Sequence, residues 1–203
     1  MDGEFIGKPK WVKGKFGSAL EFDGAGAGVK ISPGLVHEKF TTIVWVYSEG
    51  DWGVKRTEIW FGSQTYGYFV LLRGDERAAW KQSEGMLHWY DEAGWHAIGS
   101  GKLKAETWYH LAGGYDGKKL EFYLNGKLIG SEETKIANAT KDMTIGCHPN
   151  PTNWFKGIID DIAVFDRALT KEEINKIITF GLEQMNSVSS REKLGIRWGE
   201  IKN

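Results

Sequence analysis

Apolar and polar positions alternate with a period of two through most of this chain, and short runs of Gly, Asn and Asp interrupt the alternation at frequent intervals. The clearest stretch begins at Trp108 and reads Trp-Tyr-His-Leu-Ala-Gly-Gly-Tyr-Asp-Gly-Lys-Lys-Leu-Glu-Phe-Tyr-Leu-Asn-Gly-Lys-Leu-Ile-Gly. Asp116-Gly117 and Asn125-Gly126 are dipeptides that suit two-residue type I′ turns, because both positions there need positive φ. The pattern predicts a three-stranded antiparallel meander over 108–115, 120–124 and 128–131. Similar runs predict strands over 18–22, 29–31, 40–47, 58–62, 66–73, 87–90, 95–98, 143–147 and 157–165. Residues 1–13 read as a lead-in without a strand. One helix is expected near the end. Thr170 and Glu173 have capping-box spacing, and Ile174, Ile177 and Ile178 fall on one helical face before Gly181.

Many short strands at even spacing predict an all-β fold: a two-sheet antiparallel β-sandwich with one short C-terminal helix. No linker or repeat divides the chain, so residues 1–186 read as one domain. Residues 187–203 read as a polar tail that carries Trp198 and packs on the domain or extends from it. A sandwich of 203 residues buries enough surface to need no disulfide.

Charge narrows the function. The formal net charge is −1 and Lys and Arg form no stripe, which excludes the electrostatic footprint of nucleic-acid binding. No apolar run is long enough to insert into a membrane. The single cysteine, Cys147, lies in an apparent strand and reads as a small buried hydrophobe. Ten tryptophans are the unusual feature. A tryptophan offers a large flat apolar face and one donor, which suits a core or a ligand platform.

Several motifs occur together in order. Lys15-Phe-Gly-Ser-Ala-Leu-Glu-Phe-Asp-Gly, Phe40-Thr-Thr-Ile-Val-Trp-Val, the meander, and Phe155-Lys-Gly-Ile-Ile-Asp-Asp-Ile-Ala-Val-Phe-Asp-Arg-Ala-Leu resemble the LamG-like (laminin G-like) jelly rolls of the concanavalin A-like lectin/glucanase superfamily. The resemblance implies a structural Ca²⁺ between the loop after the opening strand, at Asp23, Gly24 and Gly26, and the late acidic pair Asp160 and Asp161. A Gly-rich loop that turns its carbonyls inward suits an ion that wants six to eight oxygens; the alternative is that Asp23 caps a turn and the pair bonds backbone. The resemblance also places Trp45 and Trp108 in the core, and implies an extracellular or cell-surface setting whose export signal is not in this chain.

Catalysis has no visible basis. The jelly-roll glucanases use Glu-x-Asp-x-x-Glu on one strand, so that alternation aims the carboxylates at one face, and no such triplet occurs here. Asp160 and Asp161 are adjacent, so plain alternation sends them to opposite faces. His110, inside an apolar strand, reads as a packed, hydrogen-bonded histidine. The favoured function is therefore non-catalytic recognition of a glycan. A protein–protein or adhesion module that binds an extracellular protein is the alternative, and a glycoside hydrolase or lyase comes third. Oligomeric state stays open. Candidate ligand residues come from the aromatic excess between residues 50 and 100 and from a later loop: Trp52, Trp80, Trp89, Trp95, Trp154 and Asn153. Two or three of the eight aromatics between residues 50 and 100, Tyr90 among them, are expected to line a groove, with at least two of the five tryptophans partly exposed beside it.

Overall fold

A computed structural model describes residues 3–31, 38–50, 52, 57–61, 69–73, 84–91, 94–136, 143–148, 150 and 152–185. Strands are numbered along the chain. The front sheet runs, in spatial order, β1 (Gly3–Ile6), β4 (Gly28–Ile31), β13 (Met143–Ile145), β6 (Thr57–Phe61), β7 (Phe69–Arg73), β8 (Gly85–Asp91) and β9 (Gly94–Gly99). The back sheet runs β12 (Lys127–Glu133), β11 (Lys119–Leu124), β10 (Trp108–Tyr115), β5 (Phe40–Ser48), β14 (Lys156–Phe165), β3 (Ser18–Asp23) and β2 (Lys10–Lys13). The helix α1 spans Lys171–Met185.

The expected sandwich and meander are present. Asn125 (φ 48°) and Gly126 (φ 76°) both take the left-handed conformation that a type I′ turn demands. The other turn differs from expectation. Only Gly117 has positive φ there, and the Asp116 carboxylate accepts from the N–H of Lys118 and Lys119 at 2.8 and 2.7 Å, so a side chain shapes a longer loop. Residues 1–13 are also not a bare lead-in. β1 pairs with β4 and β2 with β3, each at an edge of its sheet. Their four-residue length gives too little alternation to read.

Alternation sorts the side chains. Leu20, Phe22, Val29, Val44, Leu111 and Phe122 meet between the sheets, all almost fully buried. The opposite face of the back sheet holds a second cluster. Ile43, Ala112, Tyr123, Ala163 and Phe165 pack against Ile174 and Ile177 of α1. The predicted capping box starts that helix: Thr170 Oγ1 accepts from the Glu173 N–H (3.2 Å) and Glu173 Oε2 from the Thr170 N–H (2.8 Å). Arg167 grips the same carboxylate through two nitrogens at 2.7 and 2.8 Å, and this holds Glu173 below the usual carboxylate range. The helical geometry is interrupted at the expected place, and a short second helical stretch follows the kink. Gly181 breaks the helical dihedrals (φ 74°), and the Leu182 N–H then donates to Asp161 Oδ2 at 3.0 Å.

His110, in the row of the back sheet next to this cluster, is fully buried with its ring 5.2 Å from that of Trp45. It is packed as expected, but neither ring nitrogen finds a hydrogen-bond partner among the described residues. Burial pushes its pKa down to about 3. An unfolded chain binds this proton near the ordinary histidine value of 6.5, so the unfolded state holds more protons between these limits. His110 therefore imposes no penalty above that window and an increasing one as pH falls through it, about 1.4 kcal/mol per pH unit. Urea melts of His110→Leu and wild type should diverge on acidification, the variant losing about 2.7 kcal/mol less over two units. Parallel pH profiles would refute the assignment.

Candidate functional site

The β8–β9 hairpin decides which aromatics can meet a ligand. Along β8 the side chains of Leu87 and Trp89 turn into the core, so Met86, His88 and Tyr90 lie on the outer face of the front sheet. The register sets Trp95 opposite Tyr90, His96 opposite Trp89, and Ala97 opposite His88. Trp95 thus belongs to the outer face. Its side chain is 37% exposed, with the Tyr90 ring edge-on at 5.3 Å and the His88 ring tilted at 6.0 Å. His88 is fully buried and Tyr90 half-buried, so Trp95 is the member of this aromatic cluster that faces solvent.

The inner row of the same hairpin is structural. Trp89 is 0% exposed, stacks on His96 with centroids 5.0 Å apart, and donates from Nε1 to Thr134 Oγ1 at 3.2 Å. His96 Nδ1 lies 3.0 Å from Glu132 Oε1, which ties the front-sheet edge strand β9 to the back-sheet edge strand β12. The expectation that Trp89 lines a ligand groove is therefore corrected. Strand parity turns it inward, where its indole closes one side of the sandwich.

Trp52 is corrected in the same way. The polar Ser-Glu-Gly-Asp before it suggested exposure, yet it is 4% exposed and meets Tyr109 edge-on at 5.8 Å within the core. Trp80 lies outside the described residues. Asn153 and Trp154 are half-buried in the connection from β13 to β14, with Asn153 in the left-handed region (φ 51°) that Asn tolerates. β13 is four strands from β9 in the front sheet, about 19 Å at ordinary strand spacing. Asn153 and Trp154 thus do not share the patch of Trp95. Tyr90 belonged to the aromatic excess of residues 50–100, but His88 was missed as a partner. The signal that finds it is the i, i+2 spacing on β8, once one residue of that strand is known to face inward.

The proposed calcium ligands can be tested for fit. Lys156 opposes Asp23 and Ile159 opposes Leu20 in the β3–β14 ladder. Asp160 is therefore displaced from Asp23 by four residues, about 14 Å at a strand's rise. Four of the six carboxylate oxygens are also engaged by backbone. The Asp23 Oδ1 accepts from the N–H of Ala25, Gly26 and Ala27 at 2.8, 3.0 and 3.1 Å. The Ala25 bond is the largest of the effects that hold Asp23 below the usual carboxylate range. Gly26 thus points its N–H, not its carbonyl, at that carboxylate, and the Gly24 Cα packs beside Lys156. Asp160 is fully buried and accepts from Phe16 N–H and Asp161 N–H, both at 2.8 Å. Burial is the main cause that raises its pKa. Asp161 Oδ2 accepts from Leu182 N–H. The set Asp23, Gly24, Gly26, Asp160 and Asp161 does not fit one shared Ca²⁺. Asp23 Oδ1, both Asp160 oxygens and Asp161 Oδ2 serve backbone donors instead. Among the described residues no group of three His, Cys, Asp or Glu side chains is placed to hold a metal.

Alternation also fails at the acidic pair, for a physical reason. The ladder to β5 shifts register between Asp160 and Ala163, and Asp161 takes φ 44°. This bulge keeps both Ile159 and Ile162 in the inter-sheet core and turns both carboxylates toward the helix side.

The sequence matches the family described as the concanavalin A-like lectin/glucanases superfamily, Laminin_G_3, over residues 23–175, well over half the chain. The chain belongs to that family. No curated protein matches the sequence. Solved structures share the fold. Domain 4 of AbnA, a GH43 extracellular arabinanase from Geobacillus stearothermophilus in complex with arabinotriose, is 20% identical with a TM-score of 0.72, covering 87% of each chain. A heptameric SAP-like pentraxin from Limulus polyphemus is 15% identical with a TM-score of 0.61, over 79% of this chain and 81% of that one. The receptor binding domain of botulinum neurotoxin C/D mosaic serotype is 14% identical with a TM-score of 0.68, over 88% of this chain and 46% of that one. At such identities these likenesses speak for the fold alone. No helix among the described residues is long and apolar enough to cross a membrane.

Proposed function

We propose that this chain is a non-catalytic carbohydrate-recognition module of a protein that works outside the cell, with Trp95 as its stacking platform. The observation that carries this reading is the solvent-facing indole of Trp95, braced by Tyr90 and His88 on a regular hairpin. A rigid aromatic face suits the C–H face of a sugar ring, and it is held by strands rather than by a mobile loop. The arabinotriose held by the structurally similar arabinanase domain supports the ligand class. Non-catalytic action is supported by the carboxylates. Asp23, Asp160 and Asp161 are occupied by backbone N–H donors, which suits structural service rather than proton transfer.

Native gels that contain soluble arabinan, xylan or β-glucan test the reading directly. Wild type should be retarded by at least one polysaccharide, and Trp95→Ala should lose about tenfold or more in affinity. Its melting curve should stay close to wild type, because the ring is a surface group. Undiminished retardation of Trp95→Ala would remove Trp95 from the site.

A further inference from the structure

The back sheet carries an unassigned surface that becomes visible only through its cross-strand register. Lys10 opposes Glu21, Glu21 opposes Ile158, Ile158 opposes Tyr47, and Tyr47 opposes Trp108. These five residues form one row across five strands. Direct cross-strand partners share a face, and for this row it is the face away from the inter-sheet core. The row that contains Ile43, Ala112 and Ala163 lies under α1. The next contains Asp160, Trp45 and His110, all buried. The Lys10–Trp108 row comes after that, beyond the helix. Glu21, Ile158, Tyr47 and Trp108 are half-buried and Lys10 is exposed.

The chemistry changes along the row. At one end the rings of Tyr47 and Trp108 lie 5.5 Å apart with 50° between their planes. Neither the Tyr47 hydroxyl nor the Trp108 indole N–H bonds a described residue, and neither is a buried orphan. At the other end Lys10 and Glu21 border an open cleft of about 220 Å³, lined also by Lys8, Asp23 and the Lys156–Glu49 ion pair (Nζ to Oε2 3.6 Å). Three ammonium groups and three carboxylates balance there, so the cleft has no net charge to select a simple anion. It offers donors and acceptors together. Aromatic faces at one end and paired donors and acceptors at the other match a chain of sugar rings, whose apolar faces stack while their hydroxyls bond both kinds of group. Four strand spacings make the row about 19 Å long, the length of a short oligosaccharide.

We infer that the outer face of the back sheet, along Trp108, Tyr47, Ile158, Glu21 and Lys10, is a second carbohydrate-binding surface that takes an oligosaccharide segment across the strands. The ligand class rests on the carbohydrate reading above, but the site shares no residue with the Trp95 patch and lies on the other sheet. A long polysaccharide that reaches both faces, or many chains that cross-link, would gain avidity without any new contact.

The test uses the same gels with arabinan, xylan and β-glucan. Trp108→Ala and the double variant Lys10→Ala, Glu21→Gln are compared with wild type, each alone and combined with Trp95→Ala. Each back-sheet change should weaken retention by the binding polysaccharide about tenfold in both backgrounds. If Trp108→Ala fails to fold, the Lys10 and Glu21 double variant, confined to the polar border of the open cleft, decides alone. Unchanged retention by folded back-sheet variants in both backgrounds overturns the inference and leaves the Trp95 site standing. Loss confined to the back-sheet variants, with Trp95→Ala unchanged, upholds the second surface and removes the Trp95 assignment. Failure of all three polysaccharides to retard wild type overturns both.

Discussion

Trp89→Ala is expected to destabilise the domain by about 3–5 kcal/mol, the range for emptying a large aromatic site in a core that cannot collapse. The ring is 0% exposed, stacks on His96 and bonds Thr134. Its loss leaves a cavity at the one side where His96 and Glu132 link the edges of the two sheets. That is a large share of the 5–15 kcal/mol that holds an ordinary domain together. Urea denaturation of Trp89→Ala beside Trp95→Ala makes the contrast, since the two residues sit on opposite faces of one hairpin. Trp95→Ala should change stability by about 1 kcal/mol or less. If the two variants melt alike, the assignment of one tryptophan to the core and the other to the surface is wrong.

Asp160→Ala is expected to cost about 2–4 kcal/mol, because it strands buried backbone donors, each worth about 1–3 kcal/mol when left unpaired. The carboxylate holds Phe16 N–H and Asp161 N–H, pinning the β2–β3 turn to the bulge of β14. Asp160→Asn keeps the volume and part of the acceptor capacity, so it should lose less. The pH dependence has a definite sign. Burial raises the folded pKa above the unfolded one, so the folded state holds the proton more tightly. The advantage of wild type over Asp160→Asn is thus fullest in acid and shrinks as pH rises through the folded pKa. His110 pulls the other way, which lets the two be separated. Excess EDTA should leave the melting temperature of wild type unchanged, because Asp160 lies four residues along β14 from the partner of Asp23 and both its oxygens accept backbone N–H groups. A clear drop on chelation would show that a cation contributes to the fold.

The fold was legible where local chemistry is decisive. Asn125-Gly126 can turn the chain in few ways, Thr170 and Glu173 cap a helix by mutual hydrogen bonds, and the apolar run from Phe40 has one sensible place, in the middle of a sheet. The site was less legible because exposure of an aromatic depends on parity, and parity on partners elsewhere in the chain. Trp89 and Trp95 look equivalent in the sequence until the β8–β9 register is known. At Asp160 and Asp161 one bulge residue reverses the parity rule itself, so both carboxylates turn to the helix side and accept backbone N–H groups. Trp108 looked like core. It lies beside Tyr47, 61 positions earlier in the chain (108 less 47), in a row that only the register of four strand pairs assembles. Trp52 shows that polar neighbours in sequence say little about burial when the chain re-enters the core.

The central claim is that this sandwich binds sugar on solvent-facing aromatics while its core tryptophans stay inert. The indole N–H resonances of the ten tryptophans report this residue by residue during titration with a retained oligosaccharide. The account predicts a saturable shift of the Trp95 resonance, with those of Trp52 and Trp89 unmoved. A titration in which Trp95 stays still at saturation, or in which the buried Trp52 and Trp89 move instead, would contradict it.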